Sequence, residues 1–151
     1  MHYRPYAPED FAKLYAIEEL CFQPPFRFGR RMMRRLVDSP NAATWIAEQD
    51  ARMAGFAIVE WTEESGGVVG YIPTIEVAPE WRGQGIGAEL LRRVEGSARA
   101  AGAIEIWLHV DAENAAAIRL YETHGYRNEG REEGFYALDR AALVYGKPLE
   151  A

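Results

Sequence analysis

Val77-Ala78-Pro79-Glu80-Trp81-Arg82-Gly83-Gln84-Gly85-Ile86-Gly87 joins a strand end, a proline turn and three glycines to the start of an apolar helical pattern. Glycines at such a junction let the backbone take conformations closed to other residues and let a ligand approach the amide nitrogens. A helix N-terminus adds roughly half a positive charge, so the expected occupant is an anion and a pyrophosphate suits it. Two familiar phosphate loops fit poorly. The Walker pattern ends in Gly-Lys-Ser/Thr, whereas Gly87 is followed by Ala88-Glu89. The Rossmann loop follows the first strand of a βαβ unit, whereas several strands of antiparallel character precede this one.

Outward from the loop, Val68 to Val77 reads as the strand that feeds it. Ile86, Leu90, Leu91, Val94 and Ala98 recur at helical spacing from Gly85 to about Ala101, and Gly102 ends the run. Ala103 to Val110 alternates, which predicts Ile104, Ile106, Leu108 and Val110 on one face and Glu105, Trp107 and His109 on the other. A helix from Asn114 to about His124 follows, capped by Gly125, with closing strands at Phe135 to Leu138 and Leu143 to Tyr145. On the N-terminal side, Tyr3 to Tyr6 reads as a strand, and Pro8-Glu9-Asp10 starts a helix reaching about Phe22. Gln23-Pro24-Pro25-Phe26 is a shaped loop, because neither proline can continue a helix. Ser39-Pro40-Asn41 closes a short arginine-rich helix. Thr44 to Glu48 and Met53 to Trp61 then form antiparallel strands about Asp50-Ala51, and Ser65-Gly66-Gly67 makes the next turn. No repeat or linker interrupts residues 1–151, so one domain is expected.

The 151 residues are 48% hydrophobic, enough for a substantial core without covalent staples. Cys21 is the only cysteine, which rules out an internal disulfide or a cysteine-based metal cluster and favours a reducing, cytoplasmic setting. The N-terminus lacks an apolar signal core, and no run of about 18 apolar residues predicts a membrane span. A formal net charge of −6 argues against general nucleic-acid binding. Arg27, Arg30, Arg31, Arg34 and Arg35 form a local exception. They read either as the wet face of an amphipathic helix or as a contact for an acidic partner such as a peptide or ribosomal RNA.

With its flanks, the glycine loop resembles the GNAT superfamily of acetyltransferases, whose motif Arg/Gln-x-x-Gly-x-Gly/Ala opens a central helix; Arg82, Gly85 and Gly87 match it. The resemblance runs from about Tyr3 to Leu149 in element order and is most specific between Tyr71 and Tyr136. It implies an α/β (α+β) GNAT fold: a mixed, mostly antiparallel sheet of about six to seven strands flanked by about four helices. It also implies acetyl-CoA as cosubstrate, with no metal. Backbone amides of Arg82, Gly83, Gln84, Gly85, Ile86 and Gly87 would hold the pyrophosphate. The strand Ile75-Glu76-Val77 would pair with the pantetheine arm, Asn114 would touch the cofactor, and Tyr121 would touch it and act as general acid. Asn114-Ala115-Ala116-Ala117-Ile118 and Leu120-Tyr121-Glu122-x-x-Gly125-Tyr126 are similar to the protein N-terminal acetyltransferases, including the RimI-like group. Asn-x-x-Ala-x-x-x-Tyr also occurs in small-molecule acetyltransferases.

Attack on a thioester requires an unprotonated amine. At neutral pH deprotonation costs roughly 1.4 kcal/mol for an α-amine with pKa near 8, against about 4.6 kcal/mol for a lysine near 10.4. RimI-like enzymes carry Leu-Glu-Val where this chain has Leu108-His109-Val110. That arrangement, with Tyr71 on the preceding strand, resembles the NatE-type catalytic subunit. Tyr71 and His109 are therefore expected as a proton relay, a neutral imidazole being able to accept a proton; the alternative is two ordinary polar residues on a half-buried face. Glu76 is a rival base, placed opposite Tyr71 by regular alternation unless a bulge intervenes. Tyr121 could protonate a thiolate, whose thiol has a reference pKa of about 8.5. Cys21 is placed away from the cofactor motif and is a poor nucleophile. By the resemblance, Phe26, Phe135 and Tyr136, with Tyr71, wall the acceptor channel, Phe135 standing where a tyrosine is usual. The expected activity is direct acetyl transfer in a ternary complex to the N-terminal α-amino group of a protein or peptide, by a monomer or homodimer. A small-molecule amine acetyltransferase and a non-catalytic acetyl-CoA-binding module are the alternatives.

Overall fold

The computed structural model describes residues 1–149. Strand β1 (His2–Pro5) and a 3-10 turn (Pro8–Asp10) lead into helices α1 (Phe11–Cys21) and α2 (Arg30–Asp38). Strands β2 (Ala42–Gln49), β3 (Arg52–Glu64) and β4 (Gly67–Val77) precede α3 (Ile86–Ala100). β5 (Ala103–Asp111), α4 (Ala115–Thr123), β6 (Arg127–Ala137) and β7 (Arg140–Pro148) complete the fold. The seven strands form one sheet in the order β1-β2-β3-β4-β5-β7-β6. Only the β4/β5 pair is parallel. This is the mixed α/β architecture expected from the sequence.

Alternation along the central strands supplies a core on each face of the sheet. On one face Ala57, Val59, Ile72, Ile106 and Leu108 pack against Leu90, Leu91 and Val94 of α3. On the other, Ile46, Phe56 and Ile58 meet Phe11, Leu14 and Ile17 of α1 and Met33 and Leu36 of α2. The α2 arginines divide as an amphipathic helix requires: Arg34 lies 3.7 Å over the Phe11 ring and Arg30 lies 4.6 Å over Tyr15, while Met33 and Leu36 point inward. Asp50 and Ala51 both take positive φ (53° and 62°), the turn that best matches the twist of a two-residue hairpin.

Two irregularities in β4 position the site. Pairing with β3 steps from Ile58↔Thr74 to Glu60↔Tyr71, so three β4 steps oppose two on β3 and a bulge sits at Ile72-Pro73. Tyr71 and Glu76, an odd number of residues apart, thereby come to the same face, the one covered by α1 and α2. Pairing with β5 also ends at Ile72↔Leu108, after which β4 runs on with β3 and β5 with β7. The sheet splays open there, and the edge of β4 from Pro73 to Val77 is left without a strand partner on that side.

The chain departs from its sequence pattern in two places. Ile104 does not share the buried face of Ile106; it is 51% exposed, because the β4/β5 register shifts from Val68↔Ala103 to Val69↔Glu105 and leaves it unopposed. β6 and β7 are also far longer than the expected closing strands, and Leu138 falls in the turn between them. Arg127 to Gly134 is charged because β6 is an exposed edge, where charge blocks further strand pairing. Among the described residues, no helix is long and apolar enough to cross a membrane.

Candidate active site

The glycine loop lies at the mouth of the splay. Gly83 and Gly85 both take φ of 79°, a region closed to most side chains, and open space surrounds each where a Cβ would sit. Gly85 N-caps α3, whose first intrahelical bond is Glu89 N–H to Gly85 O at 3.2 Å. The N–H groups of Ile86, Gly87 and Ala88 therefore have no acceptor within the helix. The Arg82 amide is already engaged with Pro79 O at 3.3 Å, and its guanidinium turns back to donate to Val77 O at 2.9 Å. The backbone that could cradle an anion thus runs from Gly83 to Gly87, while Arg82 is engaged with the turn before it. Gln84 sits at its tip and is exposed.

From this cradle a cleft of about 470 Å³ follows the free edge of β4 past Ile75, Glu76 and Val77, with Asn114, Ala117 and Leu120 of the α4 region opposite. Unpaired amides at a helix start beside an exposed strand edge fit a long ligand with a pyrophosphate at one end and an amide-bearing arm at the other. Asn114 accepts the Ala117 N–H at 3.1 Å, capping α4, and lines this cleft and the chamber beyond it. The chamber, of about 200 Å³, is bounded by Pro73, Thr74, His109, Asn114, Tyr121 and Tyr136 among others.

At the chamber, the Tyr71 hydroxyl lies 2.7 Å from His109 Nδ1. Glu132 Oε1 lies 3.1 Å from His109 Nε2. A carboxylate can only accept, so Nε2 carries the proton, Nδ1 is the free lone pair, and Tyr71 donates to it. Trp107 packs edge-on against Tyr71 at 4.6 Å, and Phe135 stacks on His109 at 4.1 Å, fixing both rings. Burial raises the Tyr71 phenol well above its usual range, with Tyr136 and Glu60 adding to the effect. Tyr121 is buried and raised in the same direction, by burial and then by Tyr136. Both phenols hold their protons at neutral pH. Phe26 packs against Tyr136 at 4.9 Å, and Phe135 meets Tyr136 at the same distance, so the loop after α1 and the β6 hairpin close one aromatic wall. Burial, then Asp111, pushes Tyr136 up to about 12.

Glu76 shares a face with Tyr71 but not its neighbourhood. It is 3% exposed, accepts from Thr74 Oγ1 at 2.7 Å, and interacts electrostatically with the Glu18 carboxyl of α1. Glu18 in turn accepts the Phe28 N–H at 2.9 Å. The remaining oxygen of each carboxyl, Oε1 in both, is buried without another partner. One proton shared between them satisfies both. Burial first, and Glu18 second, raise the Glu76 pKa far above the carboxylate range. Cys21 overturns an expectation: far from being remote from the cofactor motif, its sulfur is 3.5 Å from the Arg82 guanidinium and lines the cofactor cleft. The C-terminal end of α1 lies over β4, a long-range contact invisible in local pattern. Burial and Glu76 raise the Cys21 thiol, which keeps it a poor nucleophile.

Glu132 is not among the residues expected from the sequence, where no element is assigned between Gly125 and Phe135; the edge strand β6, antiparallel to β7, brings it to His109. Trp107, which alternation puts on the His109 face, packs on both Tyr71 and His109 there. Among the described residues, no group of three potential metal ligands is assembled.

Known proteins share this fold and parts of this sequence. Residues 11–126 match the Acetyltransferase (GNAT) family. The streptothricin acetyltransferase of Streptomyces lavendulae is 39% identical over 100 residues, 66% of this chain and 52% of that protein. The [ribosomal protein bS18]-alanine N-acetyltransferase of Salmonella typhimurium is 33% identical over 103 residues, 66% of this chain and 67% of that one. The match to the first of these spans about half that protein's length. The crystal structure of the ribosomal-protein-S18-alanine N-acetyltransferase from Escherichia coli superposes with a TM-score of 0.86 over 99% of this chain and 94% of that one, at 24% identity. With the family match extending over most of the chain and the glycine cradle, splayed strands and tyrosine-bearing α4 all in place, the chain belongs to the GNAT family of acetyltransferases.

Proposed function

We propose that the chain transfers an acetyl group from acetyl-CoA to the N-terminal α-amino group of a protein or peptide by direct attack, with Tyr71 and His109 removing the proton and Tyr121 supplying one to the departing sulfur. The observation that carries this reading is the Tyr71-His109-Glu132 chain at the junction of the cofactor cleft and the aromatic channel. The resemblance to the bS18-alanine N-acetyltransferases supports it.

Acetyl-CoA supplies a thioester carbonyl open to attack by an amine. The Gly83 to Gly87 amides hold its pyrophosphate, and the free edge of β4 aligns its arm toward the chamber. There the Tyr71 oxygen accepts a proton from the amine while its own proton passes to His109 Nδ1. Glu132, across the ring, stabilises the imidazolium that forms. A weak base of this kind suffices for an α-amine, which deprotonates at a cost of only about 1.4 kcal/mol at neutral pH. Tyr121, largely buried and protonated, delivers its proton to the thiolate and regains one through the chamber that it lines. Glu76, already holding a proton shared with Glu18, serves as a link between α1 and β4 and not as the base.

The 39% identity to a streptothricin acetyltransferase favours a second reading, in which the acceptor is a small amine on the same machinery. Acetyl-CoA turnover measured with short peptides of varied first residue, beside lysine-containing peptides with blocked N-termini and free amines, separates the two. Turnover with free N-termini is expected. Turnover of free amines alone would establish the second reading.

A further inference from the structure

Beyond the chamber lies a further cavity of about 330 Å³ that shares Phe26, Phe28, Pro73, His109 and Tyr136 with it. An acceptor whose amine sits at the Tyr71-His109 pair would extend its adjoining side chain into this space. The walls there are largely apolar, from Phe28, Met32 and Leu36, with Tyr71, His109 and Tyr136 at the end nearest the chamber and two charged residues, Arg27 and Glu60. Glu60 pairs with Tyr71 across the β3/β4 ladder and lines the cavity.

Among the described residues, the Glu60 carboxyl has neither an ion-pair partner nor a hydrogen bond. Its surroundings raise its pKa through burial alone, with no nearby cation acting against that. The arginines of the neighbouring segments are committed elsewhere. Arg27 donates to Phe22 O and Glu19 O, Arg30 and Arg34 lie over Tyr15 and Phe11, and Arg140 is paired with Asp111. A partly desolvated carboxyl facing an apolar-walled cavity, without a protein partner, is costly to leave unmatched. A ligand that brings its own cation offsets that cost.

We propose that Glu60 is a specificity-determining residue that receives a second cationic group of the acceptor, carried on an aliphatic stem from the carbon bearing the reacting amine. An N-terminal lysine has this chemistry, and so does a free linear diamine. The apolar walls take the stem, and Glu60 takes the terminal ammonium. This inference rests on the acetyl-transfer reading above and adds the class of acceptor.

The test compares kcat/KM for peptides identical except at the first residue, which is lysine, norleucine, methionine or glutamate, beside free 1,5-diaminopentane and pentylamine. Wild type, Glu60→Gln and Glu60→Leu are assayed, with acetyl-CoA binding measured on each to show that the variants are folded. A charge-assisted contact of this kind predicts that wild type favours lysine over norleucine by about tenfold or more, mainly through KM. Glu60→Gln removes that preference, and Glu60→Leu reverses it. Acetylation of the diamine over pentylamine with no peptide turnover would keep the role of Glu60 and overturn the peptide reading. Turnover that ignores the first residue's charge, or a lysine preference that survives Glu60→Gln, would overturn this inference alone. Absence of turnover with every amine would overturn both.

Discussion

The Tyr71 hydroxyl and His109 Nδ1 are 2.7 Å apart, on neighbouring parallel strands, at the last rungs before those strands part. The hydrogen bond spans the sheet where it opens, which places the proposed proton acceptor beside the chamber that His109 lines. Glu132 completes the chain from an edge strand on the far side of His109. His109→Ala is expected to lower kcat by about 10²–10⁴, the usual contribution of a general base, with acetyl-CoA affinity retained. Tyr71→Phe should fall in the same range, and Glu132→Gln should cost less, because it removes only the group that fixes the tautomer and stabilises the imidazolium. Single-turnover rates with calorimetric acetyl-CoA binding check all three.

Tyr121→Phe removes the proposed proton donor while leaving the ring packed against Tyr126. The expected result is a loss of kcat with acetyl-CoA affinity and thermal stability little changed. Because burial raises the Tyr121 phenol above its ordinary range, wild-type kcat should show no alkaline fall from this group at pH 9 to 10, roughly where an ordinary phenol begins to ionise.

Gly85→Ala places a Cβ on a residue with φ of 79° at the N-cap of α3. Space is available, so the penalty is conformational, about 1–2 kcal/mol. Isothermal titration should show weaker acetyl-CoA binding, by about tenfold, as the cradle relaxes.

The Glu18–Glu76 pair predicts an unusual pH dependence of stability. Glu76 has its pKa raised in the folded state, so the fold binds more protons than the unfolded chain above the ordinary carboxylate range. Its stabilising contribution is fully present at pH below about 4.5 and is lost as pH rises through the raised value. Denaturant titrations of wild type should show stability declining toward alkaline pH, and Glu76→Gln should flatten that decline. An unchanged slope would mean the two carboxyls do not share a proton.

Much of this site could be read from the sequence because its determinants are local. The glycine loop, the alternation placing His109 beside Trp107 and the Asn114 cap of α4 each depend on a few neighbouring residues. What local pattern does not encode is what the sheet brings together. The Ile72-Pro73 bulge, which moves Tyr71 to the face of Glu76, depends on register with β3. Glu18 and Cys21 reach β4 only because α1 packs across it, and Glu132 reaches His109 only because β7 lies between β5 and β6. The charged run from Arg127 to Gly134 has no apolar alternation to mark it as a strand, and its position at the sheet edge explains the charges.

The central claim is transfer to an α-amino nitrogen. It is tested most directly by incubating the protein with acetyl-CoA and a short peptide that offers both a free N-terminus and an internal lysine, then mapping the product by fragment mass spectrometry. The acetyl group is predicted on the N-terminal nitrogen, and to disappear when the N-terminus is blocked. Acetyl on the lysine side chain, or no acetylated peptide while a free amine is turned over, would contradict it.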